Sequence, residues 1–132
     1  MSDASNAGTG PESLHARLGS EPFWAIARAF YARIEAHPRL RPMFPQELDE
    51  AIRNQAEFLI QYFGGPTAYN ARKGHPRLRM RHMPFRIGLQ ERNDWVEVMR
   101  AALEDAAIPQ AERPAMMAYF ERAATVLMNS DT

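Results

Sequence analysis

Apolar residues recur at helical spacing in four long segments of this chain, and helix breakers separate the segments. Phe23, Ile26, Ala27, Phe30 and Ile34 make one stripe, which predicts a helix from Glu21 to about Ala36. Ser20 stands where a cap is needed, and Pro22 is tolerated in the first turn. Tyr31 lies beside the stripe, one turn after Ala27. A tyrosine there packs with its hydroxyl on a nearby carbonyl, or aims the hydroxyl into a cavity. His37-Pro38 ends the helix, and Pro42 and Pro45 make an irregular corner plugged by Leu40, Met43 and Phe44.

The second long helix is expected from Glu47 to Phe63, with Leu48, Ile52, Leu59 and Phe63 on one line. Ala51, Phe58 and Tyr62 form the adjacent line, and Gln55 falls between the two, on the apolar side. Burying an unpaired amide costs roughly 1–3 kcal/mol. Gln55 therefore reaches water or serves something polar inside. Gly64-Gly65-Pro66 is a stop, and Thr67 can cap a short helix reaching Lys73. A third long helix, about Leu89 to Ala107, carries Trp95, Met99, Ala102, Leu103 and Ala106. Ile108-Pro109 breaks it, and a last helix, about Gln110 to Asn129, uses Met116, Met117, Phe120, Ala123, Ala124 and Leu127. Ser13 to Leu18 predicts a short helix near the start. No segment of strand length alternates, so the class is all-α.

At 132 residues the chain is one domain, expected over residues 12–132, with residues 1–11 a disordered tail of small polar residues. The formal net charge is zero, which argues against a dedicated nucleic-acid binder. There is no cysteine, so disulfides, thiolate-ligated haem, Cys-ligated iron–sulfur clusters and zinc fingers are excluded. No apolar run approaches the roughly 20 residues of a membrane span, and no basic flank precedes an apolar core at the start. A cytoplasmic protein away from the membrane is expected. Glu12 and His15 have the Glu-x-x-His spacing of a di-iron helix, but such a bundle needs a second copy, which is absent. Gly-rich phosphate loops, Gly-x-Ser-x-Gly and His-Glu-x-x-His are absent too.

Charge is distributed unevenly. From Phe58 to Gln90 there is no carboxylate, yet six Lys/Arg residues and two of the four histidines, His75 and His82. Such a field favours an anion, and an imidazole is a common metal ligand. Pro76 suits a first helical turn, and Pro84 pushes Met83 out of the α region, so a short helix should end near His82. The Leu78 carbonyl, one turn back, could accept from Nδ1–H of His82 and leave Nε2 to ligate a metal. His75 precedes a proline outside the helix and lacks this support. Spacing alone leaves His82 as a cap or a solvated side chain equally open.

Phe30-Tyr31, Pro42-Met43-Phe44-Pro45, Phe58 through Pro66, Gly74 through Phe85, and Trp95 together resemble a bacterial group II, O-type truncated haemoglobin. The resemblance covers about Phe23 to Asn129, and its most specific run is Gly74 to Phe85. It implies a two-over-two helical sandwich around one b-type haem. It implies His82 as proximal iron ligand, Tyr31, Gln55 and Trp95 as polar distal residues, and Ala51 where longer globins place a distal histidine. Haem-lining positions on this basis are Leu78, Phe85, Ile87, Phe58, Tyr62, Phe44 and Met99. The carboxylate-free basic stretch offers propionate partners, Arg81 first and Arg79 second.

Two departures matter, and only the first is confined to local geometry. Gly19-Ser20 stands where a Gly-Gly pair is common in the wider truncated family, and Phe44 stands where some relatives have tyrosine. The distal network then rests on Tyr31, Trp95 and Gln55.

The resemblance implies binding of oxygen and other diatomic ligands at five-coordinate ferrous iron, by a monomer or homodimer. Oxygen capture, nitric oxide dioxygenation and peroxide chemistry stay open, and the nitric oxide reaction needs a reductase partner because this chain has no flavin domain. The readings from other classes are a helical nucleic-acid binder using the basic 77–86 stretch and a plain helical interaction domain. Against the first, Pro76 and Pro84 interrupt the run, and its arginines would not form one groove-reading face.

Overall fold

Seven α-helices and two 3₁₀ turns, with no strand, make up residues 13–130, which are the residues that the computed structural model describes. The helices are α1 (Leu14–Leu18), α2 (Glu21–Glu35), α3 (Asp49–Tyr62), α4 (Ala68–Lys73), α5 (Leu78–His82), α6 (Leu89–Asp105) and α7 (Arg113–Val126). The 3₁₀ turns are Arg41–Met43 and Gln110–Glu112. The expected tail and Glu12 lie outside the described residues. Among the described residues no helix is long and apolar enough to cross a membrane.

The chain divides into two compact units. One comprises the described residues as far as Arg28, with Glu47–Pro76, and the other comprises Ala29–Gln46 with the residues from Arg77 onward. Helix α2 contributes its N-terminal turns to the first and its C-terminal part to the second. Its whole expected stripe, Phe23, Ile26, Ala27, Phe30 and Ile34, is fully buried.

In the first unit α3 packs on α4. Ala56, Leu59, Ile60, Tyr62 and Phe63 at α3 and Tyr69 of α4 are buried, while Leu48, Ile52, Ala51 and Phe58 are only half-buried. The buried face of α3 is thus rotated toward Ala56 and Ile60 from the two lines expected. Glu57 pins α4 to α3: it accepts from Arg72 Nη2 at 2.7 Å and from Arg53 Nε at 3.2 Å. Burial alone would raise the Glu57 pKa, but Arg72 and Arg53 outweigh it and hold the carboxyl below its ordinary value. At the other end of this unit His15 stacks on Phe23, and Phe23 stacks on Phe63.

In the second unit α6 packs on α7. Met99, Ala102 and Leu103 of α6 and Met116, Met117 and Phe120 of α7 are among its buried residues. Two bidentate pairs brace α6. Arg33 holds Asp105 at 2.6 and 3.1 Å, and Arg39 of the corner holds Asp94 at 2.7 and 3.0 Å. The Arg39 bond outweighs burial, which alone would raise it, and keeps the Asp94 carboxyl below its ordinary range.

Several local expectations change. Met83 keeps helical geometry (φ −58, ψ −35) despite Pro84, and the Thr67 side chain makes no capping bond to α4. The Ser20 hydroxyl lies 2.8 Å from His15 Nε2, so its side chain serves the α1–α2 turn, while its carbonyl receives the first amides of α2. Pro76 is outside α5, because Arg77 takes the left-handed conformation (φ 47, ψ 50) and the helix begins only at Leu78. The last helix ends at Val126 and starts at Arg113, its first expected turn being the 3₁₀ segment. Ser13 does cap α1, its Oγ accepting from the Ala16 amide at 3.0 Å.

At Gly65 the backbone leaves no room for a side chain. A Cβ there would sit 2.7 Å from His15 Cδ2 and 2.7 Å from Ile60 Cγ2. Neither neighbour can yield easily, since His15 is tied to Ser20 and stacked on Phe23, and Ile60 is buried. Gly65→Ala is expected to lower stability by about 1–3 kcal/mol, the usual cost of overpacking. Urea unfolding checks this, and an unchanged midpoint would show that the α1–α2 turn moves aside at no cost.

Candidate functional site

Helix α5 is five residues long and ends on His82. Nδ1 of His82 lies 2.6 Å from the Leu78 carbonyl. A carbonyl only accepts, so Nδ1 carries the proton and Nε2 of the neutral ring keeps its lone pair. The bond expected from the spacing of Leu78 and His82 is therefore present. His75 is exposed on the loop before α5, outside any helix. Among the described residues no cluster of three His, Cys, Asp or Glu side chains could hold a metal.

The loop after α5 carries Phe85, 39% exposed, and Ile87, which is buried. It is closed by Asn129, whose Oδ1 accepts from the Ile87 amide and whose Nδ2 donates to the Phe85 carbonyl, each at 2.8 Å. Sequence reading placed Asn129 only at the end of the last helix. An Asn just past a helix end, where αL geometry and side-chain capping are common, was the available signal. Arg79 donates to the Val126 carbonyl at 2.7 Å, so one of its donors is engaged within the protein. Arg81 is exposed on α5.

Elsewhere in the same unit Tyr31, Phe44 and Trp95 gather around Phe30. Tyr31 meets Phe30 edge-on with centroids 4.9 Å apart and Phe44 edge-on at 5.5 Å. Trp95 lies 5.5 Å from Phe30 and 5.8 Å from Phe120. Phe30 and Phe120 were read as core positions only, and they are what fixes these two polar-tipped rings. Met99, one turn after Trp95, is fully buried. Tyr31 is 7% exposed, and burial pushes its phenol well above the ordinary tyrosine range.

In the first unit Phe58 stacks on Tyr62 with centroids 6.2 Å apart and meets Tyr69 edge-on. Ala51 is half-buried one turn before Gln55. The Gln55 carbonyl oxygen is buried with no hydrogen-bond partner. A half-turn of the amide would place Nε2, a donor, in the same position. Either way a polar atom is withheld from water without a protein partner, at a cost that a bound polar group would remove.

The model of the bacterial-like globin family matches residues 13–129. Group 2 truncated hemoglobin YjbI of Bacillus subtilis is 36% identical over 112 residues, 85% of this chain and 85% of that protein. Among solved structures, the hemoglobin of the thermophilic phototroph Chloroflexus aurantiacus is 49% identical. It covers 89% of this chain and 98% of its own, with a TM-score of 0.85. The group II truncated hemoglobin of Bacillus anthracis is 32% identical, over 92% of this chain and all of its own, at 0.87. The chain belongs to the bacterial-like globin family, as a group II truncated haemoglobin with an all-α truncated-globin fold. The family implies a haem cofactor. The residues present fit one: an imidazole held through Nδ1 by the Leu78 carbonyl, and a buried amide oxygen without a hydrogen-bond partner.

The Tyr31 shift has a pH consequence. Its proton is held more tightly in the folded chain, where its pKa lies above the ordinary 10.0. Below that value both states are neutral and the contribution to stability is complete; above it the unfolded chain ionises first and the contribution is lost. Denaturant unfolding at rising alkaline pH should therefore show a shallower loss in Tyr31→Phe than in wild type. Identical slopes would mean that the phenol reaches water.

Proposed function

We propose that this protein binds oxygen and related diatomic ligands at a b-type haem held by His82. The reading rests first on the Nδ1 bond from His82 to the Leu78 carbonyl, which leaves Nε2 as the ligating atom and fixes the plane of the ring. When bound, the haem supplies an iron with an open coordination position for a diatomic ligand. Leu78, Phe85, Ile87, Phe44, Met99, Phe58 and Tyr62 are the apolar side chains that we assign to the macrocycle on the family resemblance. Arg81 is the foremost propionate partner. Arg79 ranks second, having already given a donor to Val126.

Tyr31, Trp95 and Gln55 are the polar groups assigned to the ligand, beside Ala51. Tyr31 stays neutral and so keeps an O–H to donate. Donors set in an apolar surround act strongly on an oxygen atom that gains negative charge, because little water competes. The same property supports oxygen capture and nitric oxide or peroxide detoxification. Sustained turnover of nitric oxide would draw electrons from a reductase partner.

Haem titration of His82→Ala and His75→Ala distinguishes the two histidines. His82→Ala should lose the five-coordinate ferrous spectrum, and His75→Ala should keep it; the reverse result would overturn the assignment. With wild type, a thousandfold excess of haem over Kd should stabilise the fold by about 4 kcal/mol.

Removing one charge-assisted donor costs about 1.5–3 kcal/mol. Tyr31→Phe should then speed oxygen dissociation roughly tenfold to hundredfold. Stopped-flow dissociation measures it, and a change under about twofold would mean that this hydroxyl does not hold the ligand.

A further inference from the structure

A helix of five residues cannot stabilise itself in water, where isolated helices shorter than about 12 residues are marginal. The direction of the His82 ring is set by a bond inside that same short helix. Whatever fixes α5 from outside therefore fixes His82. Two ties run from the C-terminal end of α7. Upstream of His82, Arg79 Nη1 donates to the Val126 carbonyl at 2.7 Å. Downstream, Asn129 closes on the loop that follows the histidine.

Asn129 makes four contacts there. Its own amide donates to the Ile87 carbonyl at 2.9 Å. Its Oδ1 accepts from the Ile87 amide at 2.8 Å, so both backbone groups of Ile87 end on one residue. Its Nδ2 donates to the Phe85 carbonyl at 2.8 Å and points at the His82 carbonyl at 3.5 Å, the outer limit of such a bond. The Phe85 amide donates to that same His82 carbonyl at 3.0 Å. A primary amide suits the task, since it offers an acceptor and two donors in one plane. Alanine offers neither, and aspartate keeps only the acceptor.

We propose that Asn129 is a positioning residue for His82, setting how Nε2 meets a bound haem iron by holding the loop that terminates α5. The proposal rests on the reading of His82 as the haem ligand.

The test uses the full chain loaded with ferrous haem, as wild type, Asn129→Ala, Asn129→Asp and Gly65→Ala. Resonance Raman reads the iron–histidine stretch, transfer to apomyoglobin reads haem loss, and amide exchange reads the Ile87 N–H. Both Asn129 variants should expose the effect, so either one suffices if the other does not fold. A shifted or split stretch, with haem loss faster by about tenfold to hundredfold, is the expected result for an outer partner of a metal ligand. Gly65→Ala lowers stability through the other unit, at a position bonded to neither α5 nor Asn129, and should leave the stretch unmoved. Faster Ile87 exchange with an unchanged stretch and haem-loss rate would overturn the positioning role while His82 remains the ligand. An equal shift in Gly65→Ala would overturn it too, since general loosening would then suffice. If wild type shows no iron–histidine stretch at all, the haem reading of His82 fails, and this proposal with it.

Discussion

The bond from His82 Nδ1 to the Leu78 carbonyl depends on a very short helix keeping its shape. One turn of helix gives too little cooperative hydrogen bonding to resist fraying. The surrounding protein supplies the constraint from several directions. Arg77 enters α5 in the left-handed conformation, which costs about 1–2 kcal/mol for a non-glycine residue and fixes the start of the helix sharply. Arg79 and Asn129 tie its two sides to the end of α7, and α7 is in turn packed on α6. A long, well-buried helix pair thus lends its rigidity to a segment with no buried residue of its own.

The second constraint is the presence of polar tips among apolar residues. Tyr31 is held by aromatic edges, and Trp95 is held against Phe30 and Phe120. Aromatic packing orients a ring firmly while leaving its hydroxyl or indole N–H uncommitted. Gln55 is the harder case, because its buried carbonyl oxygen carries an uncompensated desolvation cost. A bound polar group within reach of that oxygen would remove the cost. That is the physical sense in which these residues fit the haem that the globin family implies.

Much of this was legible from local pattern. The helical stripe Phe23 to Ile34, the all-α class, the stop at Gly64-Gly65-Pro66 and the pairing of His82 with Leu78 all follow from spacings of three and four residues. Such spacings act within one or two turns of chain, and no distant contact has to be known. Gln55 was likewise marked by its place between two apolar lines, before any burial was known. The resemblance of Gly74 to Phe85 then carried the family.

Tertiary structure decided what depends on residues far apart in the chain. Nothing near Arg79 in sequence foretells that its guanidinium spends a donor on the Val126 carbonyl, or that Asn129 takes both backbone groups of Ile87. The Ser20 hydroxyl turns to His15 instead of capping α2, because the chain reverses between them and brings the imidazole within 2.8 Å. The buried face of α3 rotated toward Ala56 and Ile60 for the same kind of reason. Periodicity says that a helix has an apolar side, while the neighbours that close over it choose which edge of that side is sealed. A side chain with several donors has several local options of similar energy. Only the packed fold, by removing water from some of them, selects one.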